Sequence, residues 1–247
     1  MTPEAMQLIE AARGWRELCD ASRSSRLPQS VGVIIPSVMQ ECFTEAYGRL
    51  ILGDSSLWNG CEHPDLICAG SQQAPPSIDE CRRLQGELAL HPVASEKRLA
   101  VIWMADKLSI EASNCLLKIT EEPPAHGSVL FMSEEDSLIP TIKSRVWSVH
   151  IELPADVTEP RPVPQTAAEW AKWMDAGRKP TPELLYLEMQ GWIRHLADHK
   201  DYERAAALDS FIRVMQQRRL SVAVIEDLVF ALFKEEVSDE QILGNLW

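Results

Sequence analysis

Short apolar runs alternate with helix-like segments along the first 150 residues of the chain. Five runs have the length and composition of buried strands: Val31 to Ile35, Asp65 to Cys68, Leu99 to Trp103, Ser128 to Ser133 and Trp147 to Ile151. Between them, apolar residues recur every three to four positions and predict helices over Pro3 to Cys19, Ser37 to Leu52, Ile78 to Leu90 and, capped by Ser109, to about Thr120. This alternation predicts an α/β fold with a parallel sheet covered by helices on both faces. We assign it to residues 1–153.

The pattern changes after residue 153. Pro154, Pro160, Pro162 and Pro164 fall within eleven residues, which is too dense for a helix or a central strand. We therefore predict a linker over residues 154–182, with one short helix from Ala167 to Met174. From Glu183 onward the apolar positions form three helical stripes, which predict a small all-helical domain over residues 183–247.

The charge of the chain limits what it can bind alone. Lys and Arg number 24 against 37 Asp and Glu, a net charge of −13. Affinity for a phosphate backbone comes mainly from Lys and Arg, so the composition argues against a protein that holds DNA by itself. No apolar run reaches the roughly 20 residues of a membrane span, and the start lacks the features of a secretory signal. We expect a cytoplasmic protein whose six scattered cysteines are buried thiols.

A series of short motifs follows the third predicted strand. In order they are Ala105-Asp-Lys-Leu-Ser109, Ala112-Ser-Asn-Cys-Leu-Leu-Lys118, Glu121-Glu-Pro-Pro124 and Ile139-Pro-Thr-Ile-Lys-Ser-Arg145. With this order and spacing, the chain closely resembles the delta-prime family of bacterial DNA polymerase III clamp-loader subunits, which have an AAA+-like fold. Weaker matches at Arg26-Leu-Pro28, His63-Pro-Asp-Leu66 and Ile78-Asp79 extend the resemblance over about residues 5–151.

The resemblance implies a role for Arg145, with Ser144 supporting it. In the family, an arginine in a Ser-Arg-Cys element reaches from the subunit edge into the neighbouring subunit's ATP site and stabilises charge on the γ-phosphate. This chain keeps Ser144 and Arg145 but has Val146 in the third place. A buried valine would leave the guanidinium untouched. The alternative is an ordinary surface arginine at the start of a strand.

The chain lacks two parts of an ATP site. Its first strand is followed by Pro36-Ser-Val-Met-Gln40, with no glycine-rich loop and no Lys for the phosphates. Trp103 and Met104 stand where related proteins tend to carry the acids that orient magnesium, and the nearest carboxylate, Asp106, is displaced. We expect no cofactor and no intrinsic ATP hydrolysis.

We also expect no metal site. Members of the family often carry a four-cysteine zinc module before the His-Pro-Asp element, but here only Cys61 lies just upstream and Cys68 falls in the next strand. A structural zinc site needs four ligands. The trio of Glu62, His63 and Asp65 is a loose candidate for metal-dependent hydrolysis, without a recognisable motif. The acidic run at residues 134–136 is interpreted as a solvated loop.

The resemblance therefore predicts a non-catalytic delta-prime-like subunit that acts as a stator while the clamp loader places the sliding clamp on DNA. Its implied partners are the ATPase subunits and delta, with the sliding clamp and primer-template DNA met only inside the complex and no membrane partner. The family's three-helix lid is reduced here to one helix, and the C-terminal helices would join the oligomeric collar. Two alternatives are an active ATPase with an atypical phosphate loop and a diverged AAA+-fold adaptor outside replication.

Overall fold

A sheet of five parallel strands organises the first of two units, residues 1–153 and 154–247, into which the chain divides. The computed structural model describes residues 3–53, 56–60, 62–71, 74–152, 160–175, 180–217 and 220–234. The strands are β1 (Ser30–Ile34), β2 (Leu66–Ala69), β3 (Arg98–Ile102), β4 (Gly127–Ser133) and β5 (Trp147–His150). They lie in the order β2-β3-β4-β1-β5, and each neighbouring pair is parallel. The predicted α/β fold is confirmed.

Helices cover both faces of this sheet. They are α1 (Pro3–Ala11), α2 (Arg13–Arg23), α3 (Ser37–Leu52), α4 (Ile78–Leu88), α5 (Ile110–Glu121) and α6 (Pro140–Lys143), with a 3-10 helix at Ala105–Lys107. Alternate residues of the strands face two separate cores. Leu130 and Met132 of β4 pack with α1, α2 and α3, whereas Val129 and Phe131 pack with α4, α5 and α6. Because both faces are buried, the strands read as continuous apolar runs.

The first predicted helix is wrong in one respect, because it is two helices. Ala12 has an extended backbone (φ −68°, ψ 140°) and separates α1 from α2. Apolar positions keep their helical spacing through this break, and Ala12 itself is buried, so periodicity alone gives no sign of it. After the break, Gly14 meets β5 so closely that an added Cβ would clash with the His150 carbonyl oxygen.

Two helical glycines should therefore respond in opposite ways to alanine. Gly14→Ala should lower the free energy of unfolding by about 2 kcal/mol, because α2 or β5 must move to admit a methyl group. Gly86 lies on an exposed face of α4 with open space around it. Gly86→Ala should raise stability by about 0.5–1 kcal/mol through helix propensity. Urea unfolding of both variants checks the pair; equal effects would contradict the close approach at Gly14.

The C-terminal unit is helical. It contains α7 (Ala167–Trp173), α8 (Pro182–Asp198), α9 (Tyr202–Gln217) and α10 (Val222–Lys234). The three predicted stripes supply its core, with Leu185, Met189, Trp192, Leu208, Phe211, Ile212, Ile225 and Val229 all buried. None of the described helices combines the length and apolar character needed to cross a lipid bilayer.

Part of the predicted linker belongs to that same core. Trp170 and Trp173 of α7 are buried against Trp192, with ring centroids 6.0 and 5.2 Å away, and Val163 is buried with them. The prolines interrupt regular secondary structure on either side of α7. Trp170 and Trp173 nevertheless pack into the core. Residues 153–159 and 176–179 of the predicted linker lie outside the described part of the chain. That this region is a reduced lid stays a prediction.

Candidate functional site

Arg145 lies between α6 and β5, and β5 is an edge strand of the sheet. Helix α6 begins at Pro140, whose fixed φ suits a first helical position. Ile142 is fully buried and anchors the helix in the core, while the side chains of Ser144 and Arg145 are exposed. Val146, expected to be buried, is half-buried and packs against the same core. The turn therefore holds the arginine backbone firmly and leaves its side chain at the surface.

The guanidinium of Arg145 makes three hydrogen bonds to other described residues. Its Nε donates to Oε1 of Glu121 at 2.6 Å, and its Nη1 donates to the Thr141 carbonyl at 2.8 Å and to Ser144 Oγ at 3.1 Å. The Ser144 hydroxyl in turn donates to the Thr141 carbonyl at 3.2 Å. The structure thus brings Ser144 and Arg145 together and adds Glu121, the last residue of α5, which the sequence analysis missed.

Helix α5 places Glu121 beside this turn. Ser109 begins the helix, its Oγ accepting the Ala112 N–H at 3.1 Å as predicted. The helix ends at Glu121, just before the paired prolines Pro123 and Pro124. Sequence gives no clear signal for the contact between Glu121 and Arg145, because they lie 24 residues apart on different elements.

The connection from β1 to α3 is short and contains no glycine. Only Ile35 and Pro36 separate the two elements, and α3 begins at Ser37. The Ser37 N–H donates to Oε1 of Glu134 at 3.0 Å. Helix N-termini attract anions because their first N–H groups lack partners within the helix. In this chain the carboxylate of Glu134 takes that position.

The acidic run was expected to be a solvated loop, and Glu134 departs from that expectation through its contact with α3. Its side chain is half-buried, and its Oε2 lies 3.6 Å from Lys107 Nζ. The rest of the acidic run, Glu135 and Asp136, is exposed as predicted. The sequence did not indicate this contact because the Ser37 N–H lies 97 residues away along the chain, whereas the exposed Asp136 pairs with the nearby Lys143 at 2.7 Å.

The first turn of α3 also faces the core. Met39 and Gln40 are both fully buried. Gln40 Nε2 donates to the Ile35 carbonyl at a long 3.4 Å. This turn carries neither a basic side chain nor a glycine.

The end of β3 carries an indole where an ATP site would need a carboxylate. Trp103 is buried in the core formed with α1, α2 and α3. Met104 then takes a left-handed backbone (φ 46°) that turns the chain into the 3-10 helix. Asp106 within that helix is half-buried; burial raises its pKa, with a further increase from Glu134 and a decrease from Lys107. The nearest carboxylate is displaced from the strand end, as predicted.

The candidate metal ligands do not converge in the described part of the chain. Cys61 lies outside it. Cys68 is half-buried on β2, and burial raises the pKa of its thiol. Cys19, Cys68, Cys81 and Cys115 are free thiols. Among described residues, no group of three or more His, Cys, Asp and Glu side chains is arranged to hold a metal ion.

Asp65 has a structural task that the sequence did not predict. It is fully buried, and its carboxylate accepts the N–H groups of Val93, Ala94 and Ser95 at 2.6, 2.7 and 2.7 Å. Arg98 Nε lies 3.6 Å away. His63 Nδ1 accepts the Asp65 N–H at 3.1 Å. The Asp65 carboxylate, which the sequence offered as part of a hydrolytic trio, therefore anchors the loop at residues 93–95.

Comparisons with known proteins agree with the resemblance read from the motifs. Residues 55–155 match the family model described as "DNA polymerase III, delta subunit". A 95-residue stretch is 32% identical to DNA polymerase III subunit delta' of Pseudomonas aeruginosa and covers 37% of this chain and 29% of that protein. A 69-residue stretch is 36% identical to DNA polymerase III subunit gamma/tau of Mycobacterium tuberculosis and covers 28% of this chain and 12% of that protein. The matched stretches thus span less than a third of either relative.

A solved structure extends the likeness to the fold. The crystal structure of a DNA polymerase III gamma subunit-related protein from Thermotoga maritima aligns over 88% of this chain and 99% of its own, with a TM-score of 0.51. At 15% identity this bears on the fold alone. It confirms the predicted arrangement of a parallel sheet followed by helices. The matches together confirm the resemblance to the delta, delta' and gamma/tau subunits of DNA polymerase III.

Proposed function

Because the central region of this chain matches the DNA polymerase III delta-subunit family, we propose that it is a non-catalytic subunit of the clamp loader. In this proposal it acts as a stator of the delta-prime type. Arg145 extends from the edge of its sheet into the ATP site of the neighbouring subunit. Cytoplasmic localisation and exclusion from membranes are part of the proposal.

The contact between Glu134 and the first turn of α3 carries the non-catalytic part of the proposal. In a nucleotide-binding relative, the N–H groups at this position would face phosphate oxygens. Here the Ser37 N–H already donates to a carboxylate at 3.0 Å. A phosphate approaching this turn would meet the negative charge of Glu134 and would have to displace it. The buried indole of Trp103 at the end of β3 supports the same conclusion, because it cannot orient magnesium.

Titration calorimetry with Mg-ATP tests this part directly. The isolated chain should give no binding heat, while an ATPase subunit measured in the same buffer serves as the positive control. Binding in the micromolar range would overturn the non-catalytic assignment and favour an active ATPase with an atypical phosphate loop.

The remaining partners follow from charge and from assembly. At a net charge of −13, the chain has little electrostatic affinity of its own for DNA. We expect the primer-template and the sliding clamp to bind the assembled complex, which also contains the ATPase subunits and delta. The C-terminal helices are assigned to the oligomeric collar. A subunit with no nucleotide to sense needs no hinged lid, which fits the short helix α7, the one helix among the described residues of that region.

A further inference from the structure

The contacts of Arg145 divide its five N–H donors into two groups. The single Nε donor and both Nη1 donors are taken by Glu121, the Thr141 carbonyl and Ser144 Oγ. Within the described residues, the two donors on Nη2 have no partner. The guanidinium is therefore held along one side and left free at one nitrogen, while the arginine side chain is 38% exposed.

We propose that Glu121 is a positioning residue that fixes the direction of the Arg145 guanidinium, so that Nη2 meets an anionic oxygen on the neighbouring subunit. This inference rests on the proposed function, since it takes the γ-phosphate of ATP as that anion. Glu121 is suited to the task because its Oε1 accepts the Nε donor at 2.6 Å, a charge-assisted hydrogen bond. Fixing Nε sets the plane of the whole guanidinium group, because that group is rigid and planar.

A contribution to folding is a poorer explanation for this contact. Glu121 is 46% exposed and Arg145 38% exposed, and ion pairs between such side chains add little to stability. The contact instead benefits binding by ordering the Arg145 side chain. A long arginine side chain loses rotamer freedom when it binds an anion, and a partner that has already ordered it reduces that loss. Glu121 variants should therefore fold normally and change catalysis in the complex.

ATP turnover by the complex reconstituted from this chain and its ATPase subunits tests the proposal. Glu121→Ala should lower kcat by about three- to tenfold, the effect of leaving one long side chain disordered before it binds, with the KM for ATP unchanged. Glu121→Gln keeps an oxygen acceptor for Nε and should restore most of the rate. Glu87→Ala is the matched control, because Glu87 pairs with Arg83 at 3.0 Å on α4, away from the turn.

Three other results have distinct meanings. A higher rate in Glu121→Ala would show that the carboxylate restrains Arg145, which would overturn the proposal. An unchanged rate in Glu121→Ala, alongside a large loss in Arg145→Ala, would reject the positioning role and leave the proposed function intact. An unchanged rate in Arg145→Ala would reject the finger, and with it any role for Glu121 in positioning it.

Discussion

Arg145→Ala is expected to lower ATP turnover at the neighbouring site of the assembled clamp loader by about 10³-fold. Arginine fingers supplied in trans to GTPases contribute at least this much, because they stabilise charge on the transferring phosphoryl group. The substitution removes an exposed side chain whose partners are also at or near the surface, so stability and assembly should be unaffected. DNA-stimulated phosphate release under single-turnover conditions measures the effect at that site.

Two further variants sharpen this test. Arg145→Lys keeps the positive charge but loses the planar fork that Glu121 and Thr141 hold, so it should remain strongly impaired. Arg82→Ala removes an arginine of α4 that is more exposed than Arg145 and pairs with Asp79 at 3.1 Å, and it should leave turnover unchanged. Equal losses in Arg82→Ala and Arg145→Ala would point to a general effect of surface charge and against a finger.

Asp65→Asn should destabilise the N-terminal unit by about 3–5 kcal/mol, the range observed when one partner of a buried ion pair is removed. Three backbone N–H groups converge on the Asp65 carboxylate, and an amide presents an NH₂ group to at least one of them. The substitution also leaves the buried guanidinium of Arg98 without its counter-charge. Urea unfolding measures the loss. Asp79→Asn is the control and should change stability by less than about 1 kcal/mol, because Asp79 is exposed.

The effect of Asp65 should also depend on pH. Burial by itself would raise its pKa, but the N–H groups of Val93, Ala94 and Ser95, together with Arg98, lower it below the ordinary value. A carboxyl with a lowered folded-state pKa contributes its full stability above about pH 4, and that contribution is lost as the pH falls through the folded-state value. The stability difference between wild type and Asp65→Asn should therefore shrink on acidification. A difference that stays constant down to pH 2 would contradict the role assigned to the carboxylate.

Periodicity predicted most of the fold because both faces of the sheet are buried. Continuous apolar runs located all five strands to within one residue at their starts, and helix α3 was predicted at its observed bounds. The break at Ala12 was not predicted, because it changes the backbone direction without changing which residues are buried. Trp170 and Trp173 were missed as core residues because the prolines around them suggested a linker.

Residues of the candidate site could be predicted only where they belong to a recognisable motif. Ser144 and Arg145 were found through their place in a recognisable series. Glu121 and Glu134 took their partners from distant parts of the chain, at separations of 24 and 97 residues, where local patterns carry no signal. Asp65 was singled out as a candidate for metal-dependent hydrolysis. Its partners are backbone N–H groups, which a pattern of side chains does not reveal.

Co-expression with the ATPase subunits and delta of the same organism tests the central claim most directly. The tagged chain should enter a stable complex of fixed stoichiometry that survives size-exclusion chromatography and hydrolyses ATP when primer-template DNA and the sliding clamp are added. Arg145→Ala should form the same complex and lose ATP turnover at the neighbouring site. Recovery of the wild-type chain only as free protein would contradict the account and favour a diverged AAA+-fold adaptor outside replication.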